Sequence, residues 1–403
     1  MEKSKNYRWI VLGAGVLAQA TFAMGFAGIP VTGILMREEY HFSLFELGYV
    51  LGAMGLGVAL SEIIWGVLTD KLGDKAVLIL GLFSAAAIFA AIGHYLTPET
   101  GEPINFIHLS IALGLAGACG GSINASSGRT VMSWFDDSQR GLAMSIRQTA
   151  IPIGGAIGTG LLPWLAWAYG FDITFLVLAI SGFATGLFVM FFVTSRHAEF
   201  KQEGKSQPVS VSPFKNSDVW KVVISAGFLT VPQMAVLTFG GVYMGDVLQI
   251  NLALISIILI GVQIGGGALR IWSGYYTDRH KNRLPLLKRY AVLGGISSLL
   301  LCLVVTQPFA GVILLILTGL FGHAWHGVAY TEAAVKAGVD RVGTALGMIG
   351  TTVFVASFLT PMMISRLAVN FNWIVVWAMV GILTLAALPC FYSVAVKKIP
   401  SLK

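Results

Sequence analysis

SEIIWGVLTDKLGDKAVLIL, running from Ser61 to Leu80, and LRIWSGYYTDRHKNRLPLLK, running from Leu269 to Lys288, are one passage written twice. Laid side by side from their first residues, Gly66 meets Gly274, Thr69 meets Thr277, Asp70 meets Asp278 and Lys71 meets Arg279. In each copy an apolar run ends in a polar turn carrying an acid followed by a base. A weaker echo pairs Gly141, Ala143 and Met144 with Gly343, Ala345 and Leu346. Two echoes at equivalent places in the two halves indicate a duplicated bundle, whose halves are expected to be related by an axis along a membrane normal.

The rest of the chain fits that reading. A membrane span needs about 20 mainly apolar residues, because the hydrocarbon core is about 30 Å thick and a helix rises about 1.5 Å per residue. Twelve such runs lie at 9–36, 45–69, 76–96, 105–134, 141–168, 172–194, 220–246, 251–276, 287–306, 311–335, 343–368 and 373–395. The loops between them leave no room for a soluble catalytic domain. A polar segment at 195–219, SRHAEFKQEGKSQPVSVSPFKNSDV with a following Trp220, reads as a cytoplasmic linker between six-helix bundles at 1–194 and 220–403. The expected fold is therefore all-α: twelve transmembrane helices in two pseudo-symmetric bundles.

Composition agrees. Of 403 residues, 56% are hydrophobic and only 11% charged, against about a quarter charged in soluble domains. Mean hydropathy is +0.79. The net charge of +7 does not call for nucleic acid, because its distribution accounts for it. Nearly all Lys and Arg fall on one side of the spans; only Arg37 and Arg366 fall on the other, and Arg147 and Arg270 lie within spans. Positive charge accumulates on cytoplasmic loops, so both termini are expected in the cytoplasm of a bacterial-type inner membrane. Cys119, Cys302 and Cys390 show no paired spacing and read as buried thiols. No metal-ligand cluster, nucleotide loop or nucleophile triad appears, so neither a cofactor nor an enzymatic activity is expected.

At this point the segment from Gly66 to Lys75, G-V-L-T-D-K-L-G-D-K, resembles the loop between spans two and three of the major facilitator superfamily, G-x-L-x-D-[RK]-x-G-[RK]-[RK]. Asp74 replaces the first of the two terminal bases, and the copy from Gly274 to Arg283 lacks the second glycine. The resemblance covers essentially the whole chain. It implies a secondary transporter working by alternating access, with span two beside span eleven and span five beside span eight. Arg129 loosely matches an arginine of the family's fourth span. Arg147 to Gly158, RQTAIPIGGAIG, partly resembles the fifth-span signature of drug–proton antiporters, but Ile151 stands where that signature has glycine.

The loop also reads without the family. Asp70 closes span two, where it can accept hydrogen bonds from Arg140 or from the start of a neighbouring helix. Such a bond latches one conformation and breaks in another, giving Asp70, Asp278, Arg129 and Arg140 gate roles.

Ionisable groups within spans cost about 2.5–3.5 kcal/mol on insertion scales and usually face the bundle interior. Glu62, Arg147 and Arg270 are such groups, and Glu62 and Arg270 are the same position in the two halves. With span five beside span eight, as the resemblance implies, Arg147 and Arg270 reach similar depths and repel unless an anion sits between them. They read as an anion clamp, with Glu62 as a proton-linked counter-charge; the alternative is a static gate. Asn124, Gln233, His323, His326 and Tyr330, with Gln19 and Thr21, are candidates for orienting a substrate, and Trp325 for an apolar wall. The resulting expectation is a monomeric carrier of a small organic anion, a monocarboxylate or similar acid, coupled to protons or to exchange. The alternative is a proton-driven exporter of amphipathic drugs or lipids.

Overall fold

Polar side chains set the ends of the apolar runs. Ser43 and Glu46 form a reciprocal cap, with the Glu46 amide donating to Ser43 Oγ at 3.3 Å and the Ser43 amide to Glu46 Oε2 at 2.9 Å. Asn105, Asn251 and Asn372 each accept from a first-turn amide, at 2.8, 2.9 and 3.1 Å. Gly73, Gly170 and Gly338 make turns at φ +92°, +92° and +81°, a region that side-chain-bearing residues rarely enter.

The structure is a computed structural model and describes residues 6–100, 103–194 and 212–391. Its twelve helices long and apolar enough to cross a membrane are, in order, Tyr7–Val31, Glu46–Leu72, Asp74–Tyr95, Phe106–Trp134, Arg140–Tyr169, Phe171–Phe192, Ser217–Val247, Leu254–His280, Arg283–Leu303, Pro308–Ala337, Val339–Asn370 and Trp373–Phe391. These are spans 1 to 12. No strand occurs among the described residues. Most of the expected linker, 195–211, lies outside the described residues, as do Lys3, Lys5 and the basic tail; 212–219 is described and already enters span 7.

Three spans differ from the sequence reading; in span 12 the α-helix ends at Leu385 and a 3-10 turn, Leu388–Phe391, follows. Span 1 stops at Val31 rather than near 36, because the amide and Oγ1 of Thr32 both turn back to the Ile29 carbonyl, at 3.0 and 2.7 Å. A separate short helix, Gly33–Glu39, follows. Span 10 is two helices, Pro308–Ala324 and His326–Ala337, interrupted at Trp325.

Spans 2 and 11, and spans 5 and 8, join the halves. The joints close through glycine. A Cβ on Gly66 would stand 2.5 Å from the Gly343 carbonyl oxygen, and one on Gly274 would stand 2.3 Å from that of Gly141, so side chains there would hold the helices apart. All four glycines lie at the end of the bundle that carries the basic loops, the basic end.

Toward the opposite end the halves part. Gly48 lies about five turns from Gly66 on the same face of span 2, and Gly267 about two turns from Gly274 on span 8. Neither has an atom within 4 Å of where its Cβ would stand. The transporter-like bundle is thus shut at the basic end and loosened at the other.

Candidate functional site

At the shut end the repeated sequence becomes a repeated latch. Asp70, closing span 2, accepts the Gly343 and Thr344 amides at the start of span 11, at 2.8 and 2.7 Å, and also the Thr344 hydroxyl. Asp278, closing span 8, accepts the Gly141 and Leu142 amides at the start of span 5, both at 2.8 Å. Each carboxylate satisfies orphan amides at the positive end of a helix belonging to the other half. The strong echo supplies the acceptors and the weak echo the donors.

Arg129 supports one latch: its Nε lies 3.7 Å from Asp70, and it donates to the Thr69 carbonyl. Arg140 does not bond Asp70. Its Nε donates to the Met132 and Phe135 carbonyls at 3.2 and 2.9 Å, which ties it to its own loop. Asp74, where the family loop carries a base, receives the Thr130 hydroxyl at 2.7 Å, so the departure from the pattern makes a bond to span 4.

The span 5/8 side has a further lock. Asp137 bonds Lys281 at 2.9 Å and Arg283 at 3.0 Å across the halves, and Arg283 also faces Asp278 and Glu332 at 3.9 and 3.8 Å. The hydrogen bond from Lys281, helped by Arg283, lowers the Asp137 carboxyl to about 2. A lowered value means that the pairing is complete above the ordinary carboxylate range and is lost only as pH falls through about 2. Accessibility of a thiol introduced at this joint is therefore expected to be flat between pH 5 and 8 in so far as Asp137 controls it, yet to rise with salt, because the pair is solvent-exposed. A labelling-rate profile against pH and ionic strength tests this; a step near neutrality that disappears in Asp137→Asn would refute it.

Glu62, Arg147 and Arg270 lie farther in, at 0%, 0% and 1% exposure. Arg147 is held by neutral acceptors of its own half: Nε donates to Ser127 Oγ at 2.9 Å, while Nη2 donates to Gln19 Oε1 at 3.0 Å and to the Asn124 carbonyl and Oδ1 at 2.6 and 2.9 Å. Its Nη1 has only the Met144 sulfur, at 3.6 Å. Asn124 turns its amide nitrogen to Glu62, at 3.2 and 3.3 Å, and to the Tyr330 hydroxyl of the other half at 3.4 Å. An amide thus stands between acid and base, and no ion pair within 4.0 Å joins Glu62 to either arginine. Gly350 of span 11 covers Glu62, since a Cβ there would stand 1.8 Å from Oε2.

Arg270 is held more lightly. Nε donates to the His323 carbonyl beside the break in span 10, at 2.7 Å, and Nη1 donates across the halves to the Gln148 carbonyl at 2.9 Å. Its Nη2 has no protein acceptor among the described residues. The side-chain amide of Gln148, Trp325 Nε1, His323 Nε2 and His326 Nδ1 are likewise buried without a protein partner. His323 Nδ1 faces the Gly319 carbonyl of its own helix at 2.7 Å, and His326 stacks on Trp325 at 3.9 Å. Toward the loosened end, Phe26 of span 1 and Phe354 of span 11 meet edge to face at 5.3 Å, a roof contributed by both halves.

The structure therefore brings Glu62, Asn124, Arg147 and Tyr330 into one network and sets Arg270, His323 and His326 beside it. Gln233 makes no side-chain hydrogen bond among the described residues; its backbone lies against Gly322. Thr21 bonds Thr185 within its own half at 2.9 Å. Sequence reasoning missed Ser127, Gln148 and Gly350. Gly350 had a signal, since Gly343, Gly347 and Gly350 form a helical stripe facing span 2; the carbonyl partners of Arg270 had none.

The model of the Major Facilitator Superfamily matches residues 15–361. The chain is 25% identical over 386 residues to the uncharacterized MFS-type transporter Rv2994 of Mycobacterium tuberculosis, covering 95% of this chain and 84% of that one. It is 23% identical over 430 residues to the probable galactarate/D-glucarate transporter GarP of Escherichia coli (98% and 96% covered), and 20% identical over 428 residues to the hexuronate transporter of the same species (99% and 96%). Its fold is similar to that of FucP in the outward conformation (TM-score 0.71, 16% identity, 95% of this chain and 97% of that one). It is also similar to that of the proton:xylose symporter XylE (TM-score 0.72, 14% identity, 96% and 95%). A duplicated twelve-helix bundle, polar at its centre and matched along nearly its whole length, is a multi-pass membrane transporter rather than an enzyme, and the chain belongs to the major facilitator superfamily.

Proposed function

We propose that the protein carries a small organic anion, a monocarboxylate or similar acid, across a bacterial-type inner membrane, with its basic end and both termini in the cytoplasm. The observation that carries this reading is the charge of the centre: two buried guanidinium groups against a single carboxyl, Glu62, which pairs with neither. A buried charge without a counter-ion is costly, and an anionic substrate supplies one. Arg270 offers the unspent donor, the Gln148 amide and Trp325 Nε1 are further buried groups without a protein partner, and arginine suits a carboxylate because it stays charged and can bind two oxygens. Similarity to transporters of galactarate/D-glucarate and of hexuronate agrees with an acidic substrate.

Glu62 is the proton-coupling group in this reading. Gly350 and Tyr330 cover it only while the basic end is shut, so parting of spans 2 and 11 gives it access to the cytoplasm. Alternating access then follows from breaking the two aspartate latches while the loosened end, where Phe26 and Phe354 already meet, draws together.

The test is flux in proteoliposomes with labelled carboxylates of increasing length, with and without a pH gradient. Saturable uptake of at least one acid, accelerated by a gradient and rendered insensitive to it by Glu62→Gln, is expected. Saturable transport of amphipathic cations with no acid transported would replace the anion carrier with an exporter.

A further inference from the structure

A second place with anion chemistry lies outside the central site. At the basic end, between the halves, is a cavity of about 120 Å³ lined by Asp74, Arg129, Ser133 and Arg140 on one side and by Gly338 and Asp340 among others on the opposite side. That is several times the roughly 10–15 Å³ that a single water needs, enough for a tetrahedral oxyanion.

The cavity has four charged groups, but they are not equally free. The Asp74 oxygens are taken by the Thr130 hydroxyl and the Lys75 amide, and Asp340 is an exposed residue of the 3-10 turn Val339–Arg341 that opens span 11. The arginines have donors to spare. Arg140 spends only Nε, on two carbonyls, leaving the four hydrogens of its Nη groups, and Arg129 directs Nη1 to Thr69 and leaves Nη2. Arg129 is a built group, only 8% exposed, and its Nε is already fixed beside Asp70.

We propose that this cavity binds a small oxyanion of the phosphate type, and that the bound anion holds the basic end shut. The second part follows from where the walls come from: spans 4 and 5 supply the guanidinium groups, the end of span 10, Gly338 and the first turn of span 11 close the other side, and the cavity exists only while those halves touch. An anion that binds one state and not the other shifts the equilibrium by its differential affinity. Cytoplasmic phosphate, or the phosphate of a lipid headgroup, thereby restrains the carrier without competing at the central site.

The experiment uses the full chain, purified in a zwitterionic detergent, and inorganic phosphate against chloride at matched ionic strength. A saturable rise in Tm is expected with phosphate. Loss of one charge-assisted contact in Arg140→Gln should weaken half-saturation roughly ten-fold, and Ser133→Leu, which fills the cavity without removing a charge, should abolish the effect. Arg270→Gln should leave it intact, which separates this site from the central one. In proteoliposomes, phosphate on the basic-end face should slow uptake in a saturable way, and phosphate on the other face should not.

To distinguish the source, the wild type is compared in nanodiscs of phosphatidylglycerol and of phosphatidylcholine. Protection by phosphatidylglycerol without added phosphate, lost in both variants, supports the site with a headgroup as its occupant. Absence of saturable protection by either source, protection unchanged in Arg140→Gln and Ser133→Leu, or protection lost only in Arg270→Gln would each overturn the proposal.

Discussion

Arg270→Gln is expected to abolish carboxylate uptake while leaving the purified protein nearly as stable as the wild type, whereas Arg147→Gln is expected to lose both. The two arginines are equally buried but differently employed. Arg147 is the acceptor-filled one: removing it strands Gln19, Asn124 and Ser127, each of which then bears a desolvation cost of about 1–3 kcal/mol as an unsatisfied buried group. It also frees Asn124, and with it the contact to Glu62 and Tyr330. Arg270 leaves behind only two backbone carbonyls, and its Nη2 is unspent. Truncating one partner of a buried charge pair costs about 2–5 kcal/mol, so transport should fall on the order of 30- to several-thousand-fold. Arg270→Lys keeps the charge but not the two-pronged donor set, and should recover only part of the loss. Uptake measured beside Tm separates the cases. Full uptake in Arg270→Gln would remove the anion from that position, and loss of stability equal to that of Arg147→Gln would make Arg270 a structural residue.

The architecture was legible because a membrane permits few solutions. Backbone groups in hydrocarbon must bond within their own segment, so long apolar runs become helices whatever packs beside them. The duplicated passage then indicated two related halves, and the resemblance to the family implied which spans pair between them. What escaped was local. The sequence reading carried span 1 through Thr32 to residue 36, yet the Thr32 amide and hydroxyl returning to Ile29 end the helix at Val31. The interruption at Trp325 lies between two histidines in an otherwise helical stretch, with no proline or glycine at the break.

In the site, charge was readable and partnership was not. Glu62, Arg147 and Arg270 stand out as ionisable residues in apolar runs, and the sequence suggested that the two arginines converge and need an anion between them. The structure instead gives Arg147 to neutral acceptors and separates Glu62 from it by one amide. Arg140 shows the same limit: its position beside Asp70 in the expected topology suggested an ion pair, whereas nearby carbonyls claim its Nε. Side chains that are interchangeable in a pattern differ in what lies within 3 Å of them.

Gly343→Val is expected to reverse which end of the bundle is closed. A Cβ at this position would stand 2.7 Å from the Gly66 carbonyl oxygen, 2.8 Å from Asp70 Oδ1 and 3.0 Å from Thr69 Cβ. The nearest obstacle is backbone and has no rotamer to yield, so the start of span 11 must retreat from span 2. Retreat also withdraws the Gly343 and Thr344 amides from Asp70. Hydrogen bonds to a charged group contribute about 1.5–3 kcal/mol each, so two of them sum to about 3–6 kcal/mol, a range whose upper end reaches the roughly 5.5 kcal/mol that turns a 99:1 equilibrium into 1:99. Gly141→Val should act alike from the other side, because a Cβ there would meet Asp278 Oδ1 at 2.6 Å and the Gly274 carbonyl oxygen at 2.8 Å. Gly48→Val supplies the control: it lies on the same face of span 2 in open space, and adds nothing to the closed joint. Spin labels at the exposed Lys71 and Val339, one on each half, read the separation directly. Gly343→Val and Gly141→Val should lengthen it and Gly48→Val should not; an unchanged distance in the first two would mean that the glycine contacts do not decide the state.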